Sequence, residues 1–396
     1  MQLHGNFAHR PAGARMTVAP TSTATARRIA ALDVIRGIAI AGTLGTNIWI
    51  FTDPRGPAAA LGPASSADFA ALFESALLLL TNGKFLALLT MLFGIGLELQ
   101  YRSALRRGRT WPGWYLWRAA LLFVEGLLHY VLVFEYDVLM SYAVTSVLVA
   151  FLIGRSERAV NWWMGAMATA HVLFIGLLTA ALVSGTAKLD TGASAPFPQH
   201  DYPAQVAARL SNWPEYRLEA IFIIPMSAFL FLLGAKLHRA GVFEAGNQRL
   251  RNRLMLIGFG VGGPLNLVTA FAGEEWFVVD RYLLPPLIAA GLLGLVPTAL
   301  HRASRGAGPL RNGLTAVGRT ALSCYVFQNL AAAVLCYGWG LGLAEELDAL
   351  RPWWVLLAWA GIFLTCAVGA SLWLRKFSRG PVELVWHWAH QAPQRR

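Results

Sequence analysis

The sequence predicts an all-α fold, a polytopic transmembrane helical bundle of about ten spans plus a short re-entrant or interfacial helix. Three observations predict it. Of 396 residues, 56% are hydrophobic and only 14% charged, whereas a soluble domain carries roughly a quarter charged residues. Apolar runs of about twenty residues, the length that crosses a bilayer, recur along the chain. Between them Lys and Arg gather in alternate connections, the asymmetry that sets orientation in a membrane.

Residues 1–28 contain four Arg and no acidic residue and read as a disordered cytoplasmic tail. One transmembrane helical domain is expected over 29–388, with a cytoplasmic tail at 389–396. Its spans are expected near 31–52, 83–101, 113–134, 138–154, 160–184, 217–236, 254–273, 281–300, 315–338 and 354–374. The run 66–81 is shorter, carries Glu74 and ends at Asn82-Gly83-Lys84, so it is expected to lie in or re-enter the outer leaflet without crossing. In this arrangement Arg55, Lys188, Arg209, Arg217, Arg281 and Arg351 lie outside. Arg36, Lys84, Arg118 and Arg319 lie within or at the edges of spans, leaving 23 of the 33 cations inside. A 23-to-6 bias places both termini in the cytoplasm of a bacterial plasma (inner) membrane.

The net charge of +12 belongs to these connections. No basic stripe interleaved with aromatics is present, which argues against nucleic-acid binding. Cys324, Cys336 and Cys366 lie in apolar runs without a CxxC pair, so no disulfide framework is indicated. The nine His form neither HxxxH nor HExxH, and no metal site is expected. Gly258 to Gly263 match GxGxxG inside an apolar helical run, where close helix packing is the better account.

Ionisable groups at membrane depth are costly and are functional candidates, with ion pairing or snorkelling as the structural alternative. In the third span Arg118, Glu125 and His129 are spaced i, i+7 and i+11, which puts them within about 40° on one helix face. A carboxylate one turn from an imidazole can orient the ring and raise its basicity, so His129 is a candidate general base oriented by Glu125. Glu135 and Asp137 follow at the outer mouth, and Asp137 joins the catalytic candidates. In the first span Asp33 and Arg36 can pair, and Asn47 shares the Arg36 face roughly 16 Å higher. Arg36, Arg118 and Arg319 are the guanidiniums available to an anionic ligand. Lys84 opens a span near the outer mouth. The ninth span carries Ser323, Tyr325, Gln328 and Asn329; four polar groups in one span should face the interior. Asn47 or Gln328 could donate to an oxyanion.

Several blocks carry a resemblance: LDVIRGIAIAGTLGTNIWIF (32–51), GKFLALLTMLFGIGLELQ (83–100), WRAALLFVEGLLHYVLVFEYDVLMSYAV (117–144), GRTALSCYVFQN (318–329) and GPVELVWHW (380–388). In this order they resemble the bacterial YeiB-type membrane proteins, a family of unknown function often described as transporter-like. LDVIRG at the start of the first span is also similar to the transmembrane acyltransferase superfamily, which includes heparan-glucosaminide N-acetyltransferase-like proteins. That wider resemblance implies an acyl-CoA or acetyl-CoA donor and a sugar acceptor. In its O-acyltransferases an Arg is followed after ten residues by a His; here Arg36 is followed by Asn47. The N-acetyltransferase-like branch also has Asn there, with a catalytic His just beyond. Residues 48–66 contain no His, so the imidazole role would fall to His129 or to His200.

The expectation is therefore an acyltransferase-like protein. It would move an acyl group from a cytoplasmic acyl-CoA-type donor to an extracytoplasmic sugar or lipid-linked acceptor. The alternatives are a secondary transporter or exporter of a small solute, or a non-catalytic membrane partner of an envelope enzyme. The lipid bilayer is the one certain partner, and the sequence leaves homodimerisation open.

Overall fold

The structure, a computed structural model, describes residues 21–57, 69–188, 197–303 and 308–392, with side chains from Ala30 onward. These residues form helices α1 (Thr21–Phe51), α2 (Phe69–Thr81), α3 (Lys84–Arg106), α4 (Tyr115–Leu132), α5 (Leu139–Leu152) and α6 (Glu157–Val183). There follow α7 (Tyr202–Ser211), α8 (Trp213–Arg217), α9 (Ala220–Arg239), α10 (Gln248–Met255), α11 (Gly263–Ala270) and α12 (Pro285–Arg302). The chain ends in α13 (Pro309–Arg319), α14 (Ala321–Cys336), α15 (Leu343–Glu346), α16 (Trp353–Trp373) and α17 (Pro381–Gln391). No strand occurs among the described residues. The first helix begins at Thr21, inside the stretch read as the N-terminal tail, and residues 1–20 lie outside the described residues.

Helices form at every expected span, but they are not ten equal crossings. Among the described residues, eight helical stretches are long and apolar enough to cross a membrane. Helices α5 and α14 have 14 and 16 residues, about 21 and 24 Å long at the usual rise, and fall short of a ~30 Å hydrocarbon core. Each is completed by other structure. The connection from Val133 to Val138 folds down into the bundle ahead of α5, with Phe134, Glu135 and Asp137 all buried. Ahead of α14 the chain breaks at Thr320, and the amphipathic α13 packs along the first half of α1.

The described part of the 66–81 run, Phe69–Thr81, falls with α3 in a single candidate span, Phe69–Arg106. Thr46 Oγ1 of α1 donates to Thr81 O (3.1 Å), while Arg351 joins Glu74 (2.8 Å) to Thr52 O (2.7 Å). Helix α2 therefore runs antiparallel beside the last two turns of α1. After a bend at Gly83, α3 continues in the same sense, with Phe85 packed at Gly42. Gly83 sits at φ 71°, and a Cβ there would collide with Arg281 O. Phe69–Arg106 is thus one broken passage. Residues 66–68 of the expected 66–81 run lie outside the described residues.

Buried backbone outside helices must find partners where water is absent. Two arginines from the long α6–α9 connection supply them. Arg209 of α7, 1% exposed, donates to Glu135 Oε1 (2.9 Å), Val131 O (3.2 Å) and Val133 O (3.3 Å). Arg217 of α8 donates to Asp137 O (2.9 Å) and to Glu135 O. The 133–138 turn is thereby held from above by α7 and α8. Outward faces such as Leu127, Leu177, Leu357 and Leu364 stay exposed, as expected of lipid-facing helix surfaces. The GxGxxG segment is a π-helical turn, Leu256–Gly262, whose Gly258 and Gly262 press against Gly291 and Leu287 of α12; the glycines serve helix packing.

Candidate functional site

At the end of the bundle where α1 starts, a cavity of about 620 Å³ lies between α1, α3, α4, α14 and α17, a volume typical of small-molecule sites. Arg36, Arg118 and Arg319, far apart in sequence, all border it, and Arg379 joins them. The Arg36 guanidinium reaches Asp33 Oδ1 at 3.3 Å, the pair read from the i, i+3 spacing. The Arg118 guanidinium lies 5.0 Å from the centre of the Trp386 ring, a cation–π contact. Arg319 donates to Ser378 O at 3.4 Å. The carboxylate in the lining, Glu383, is occupied: it accepts from the amides of Leu322 (2.9 Å) and Ser323 (3.3 Å) and from the Ser323 hydroxyl. A remote side chain thus caps the start of α14, where orphan N–H groups favour an anion. With Arg36 paired to Asp33 and Glu383 committed to the start of α14, four guanidiniums border a lining that contains one carboxylate, and the cavity is cationic.

Helix α17 closes one wall of this cavity. Trp386 Nε1 donates to Glu125 Oε2 at 2.8 Å, and Trp117 Nε1 of α4 donates to Ala389 O at 3.1 Å. His387 and His390 also face the cavity. Burial, then the neighbouring Arg118, lowers the pKa of His390 below the usual imidazole value. That shift disfavours its charged form, and the guanidiniums carry the positive potential.

Tyr325 and Val138 form part of the cavity floor. Beyond them a buried relay begins. Tyr325 OH donates to Asp137 Oδ1 (3.1 Å), and His129 Nδ1 donates to the same oxygen (2.9 Å). Asp137 Oδ2 accepts from Leu139 N (2.8 Å), capping α5. Asn329 Nδ2 donates to His129 Nε2 (3.3 Å), and Asn329 Oδ1 accepts from Asn47 Nδ2 (3.1 Å). Carboxylate, imidazole and amides form one line, with the ring fixed by an acid on one nitrogen and able to accept on the other. This is the geometry that holds a histidine ready to take a proton.

The site differs from the sequence reading at four residues. Glu125 does not orient His129: it turns to Trp386, and Asp137, from the infolded turn, takes the histidine instead. Asp137 is therefore inside the bundle and not at an outer mouth. Lys84 borders neither the cavity nor the relay; it is buried at the Gly83 bend, where Nζ donates to Asn82 O (3.2 Å). Gln328 is fully buried and neither amide atom has a hydrogen-bond partner, yet it borders neither the arginine cavity nor the smaller cavity beyond its floor. His200 lies near the other end of the bundle, exposed, 3.4 Å from Glu345. The sequence reading missed Arg379, Glu383, Trp386 and His387. The signal available was GPVELVWHW, a block of the resemblance that follows Arg379 after the last span and sets Glu383 three and four residues before Trp386 and His387 on an 11-residue helix.

Fold and site together define a class: a polytopic helical membrane protein with a cationic cavity at one end and a buried Asp–His pair beneath its floor. Residues 237–392 match the family described as "Protein of unknown function (DUF418)". Over nearly its whole length the chain is similar to "Uncharacterized protein YxaH" of Bacillus subtilis (strain 168), 27% identical, covering 92% of this chain and 94% of that one. It is likewise similar to "Uncharacterized protein YeiB" of Escherichia coli (strain K12), 28% identical, covering 90% and 94%. These matches show the YeiB-type resemblance of the chain, with its DUF418 portion in the C-terminal part. No solved structure matches. Neither relative's name carries an activity, so function rests on the site.

Proposed function

We propose that this protein is an integral membrane acyltransferase. It takes an acyl group from an acyl-CoA-type thioester and passes it to a sugar or lipid-linked hydroxyl at the opposite face. One observation carries the reading: Arg36, Arg118, Arg319 and Arg379 converge on a cavity of about 620 Å³ whose floor touches the Asp137–His129 pair. A CoA thioester carries several phosphate charges at one end and a reactive carbonyl at the other. Guanidiniums bind phosphate with paired, charge-assisted hydrogen bonds, and the aromatic faces of Tyr115 and Trp386 suit a heteroaromatic ring. The 23-to-6 cation bias supports a cytoplasmic arginine-lined end, where such thioesters are made, in a bacterial plasma membrane.

In the reaction, His129 Nε2 takes the acceptor hydroxyl proton once the acceptor displaces the Asn329 amide. The oxygen forms a bond to the thioester carbonyl carbon, and Asp137 stabilises the imidazolium. Asn47 donates to the developing oxyanion. Collapse breaks the C–S bond, and the thiolate leaves with the proton returned by His129. The products are an ester and free thiol. A secondary transporter is the competing reading, favoured by the presence of a second, smaller cavity in series with the first.

Binding of acetyl-CoA to the purified protein in detergent decides between them. Wild type is expected to bind CoA thioesters and Arg36→Ala to bind about tenfold or more weakly, the scale of one lost charge-assisted contact. Sealed vesicles should hydrolyse or transfer from acetyl-CoA only when the arginine-lined face is outermost. A wild-type protein that binds no thioester, yet moves a solute into proteoliposomes, overturns the enzyme reading.

A further inference from the structure

At the end of the bundle opposite the arginine cavity, an open groove of about 580 Å³ lies between the start of α7 and the outward face of α14. One wall is apolar: Leu330 and Val334, both exposed on α14. The rim is polar and aromatic, with His200, Asp201, Tyr202 and Trp339. The Tyr202 and Trp339 rings meet edge-on, centres 5.1 Å apart, and Trp339 Nε1 donates to Gln205 Oε1 (3.1 Å). Aromatic rings with one polar end gather where membrane meets water, so the groove straddles that boundary. It also stands over the join between the two helices that hold the histidine relay. Tyr202 OH donates to Leu132 O of α4 (2.9 Å), three residues past His129. Leu330 directly follows Asn329, whose amide touches His129 Nε2 (3.3 Å). At the arginine end α17 ties the same two helices, through Trp386 to Glu125 of α4 and through Glu383 to the start of α14. Between those ties α4 and α14 are linked by side chains: Asn329 bonds to His129, and the Tyr325 ring lies 5.0 Å from the His129 ring. Leu128 and Leu132 on α4, and Phe327 and Leu330 on α14, are exposed.

The geometry points to this groove as the docking site of an uncharged, hydroxyl-bearing membrane lipid, which reaches His129 sideways between α4 and α14 as the acyl acceptor. This rests on the acyl-transfer reading and decides, within it, for a membrane lipid over a soluble sugar. Shape is the first argument. A wall of Leu330 and Val334 takes an acyl tail, while the rim of His200, Asp201, Tyr202 and Trp339 takes a polar head. Charge is the second. Among the described residues no Arg or Lys lines the groove. His200 is 3.4 Å from Glu345, and Asp201 Oδ1 accepts from Ala204 N (3.0 Å) to cap α7. Phosphate is held by guanidinium or ammonium groups, so an anionic headgroup finds no such partner here and meets Asp201 instead. Neutral hydroxyls can donate to the carboxylates, and the carbon faces of the head can rest on the Trp339 ring. Position is the third. The Asn329 amide that an acceptor must displace from His129 is one residue from the groove wall. In the transfer the headgroup oxygen bonds to the thioester carbonyl carbon and the C–S bond breaks. The hydroxyl proton passes through His129 to the departing thiolate.

The test compares acceptors at fixed donor. Full-length protein in phosphatidylcholine vesicles receives acetyl-CoA and one of three acceptors at equal concentration: monogalactosyl diacylglycerol, phosphatidylglycerol or soluble methyl galactoside. The galactolipid should be acylated at least tenfold faster than either of the others. Val334→Trp fills the apolar wall and should slow galactolipid acylation tenfold or more. His200→Arg adds a cation at the rim and should raise the phosphatidylglycerol-to-galactolipid ratio several-fold. Both variants should keep wild-type affinity for free CoA, which also certifies that they fold. A galactolipid with a photoreactive diazirine in its tail, with no thioester present, should label α14 around residues 330–334. Unlabelled galactolipid should compete for that labelling and phosphatidylglycerol should not. Equal rates for galactolipid and methyl galactoside, or labelling spread over all lipid-facing helices and indifferent to Val334→Trp, overturns the lipid acceptor while CoA binding stands. Absence of CoA binding in wild type is a different failure, since it removes the acyl-transfer reading itself and the acceptor role with it.

Discussion

Residue 129 shows what helix arithmetic can and cannot deliver. The i, i+4 spacing put Glu125 one turn from His129, and the two do share a face of α4. The histidine nevertheless bonds to Asp137, eight residues on, because the chain reverses inside the bundle and returns a closer carboxylate. That reversal depends on tertiary partners, Arg209 and Arg217, and no local pattern encodes it. The arginines were more legible. Arg36, Arg118 and Arg319 drew notice because charge is costly at membrane depth, and they do converge on one cavity. The differing roles of the two acids give a clean expectation. Asp137→Asn removes the charge that stabilises an imidazolium and should lower turnover by about a hundredfold or more, the usual weight of general-base catalysis. Glu125→Gln keeps an acceptor for Trp386 Nε1 and should leave turnover near wild type. Steady-state turnover with acetyl-CoA distinguishes the two, and equal losses would return Glu125 to the catalytic centre.

At the scale of elements, the long apolar runs announced their helices, and only lengths and joins went unread. Helices α5 and α14 look like ordinary spans in sequence because their flanking residues are apolar too. The flanks became an infolded turn and a break at Thr320. Helices α13 and α17 are amphipathic and short, so they pass for charged connections between spans. Yet α13 makes one of the closest crossings in the protein. Gly37 of α1 faces the backbone of Leu314, and Gly318 of α13 faces the backbone of Asp33; a Cβ at either would overlap a carbonyl group. Two sequence blocks read separately, LDVIRG and GRTALSCYVFQN, are thus two sides of a single contact, and they deliver Arg36 and Arg319 to the same cavity. Gly318→Ala should destabilise the protein by about 1–3 kcal/mol through overpacking. Gly176→Ala, on α6 with open space around the added methyl, should be neutral or slightly stabilising. Thermal unfolding in detergent reads both, and equal shifts would deny the tight crossing.

For the whole molecule, the long α6–α9 connection was read as an external loop, and Arg209 as one more outside cation. It is instead among the largest fully buried side chains, paired with a Glu135 that is itself 0% exposed. Composition could not reveal this, because a cation in a loop and a cation under a loop look alike in sequence. Arg209→Leu would strand a buried carboxylate and should cost about 3–5 kcal/mol. Adding Glu135→Leu should restore much of that loss, since the pair can be exchanged for apolar contact. No recovery in the double variant would show that the backbone carbonyls, not Glu135, are what Arg209 serves. The same contact dictates an order of events during synthesis. Arg209 leaves the ribosome 74 residues after Glu135, when α4 and α5 have already entered the membrane with an unfinished turn between them. The turn that carries Asp137 to His129 therefore receives its partners from α7 and α8 later in the chain than α4 and α5 themselves. A chain truncated before α7 would hold the arginine-bearing helices α1 and α4 but lack the arginines that satisfy the turn behind the Asp–His pair.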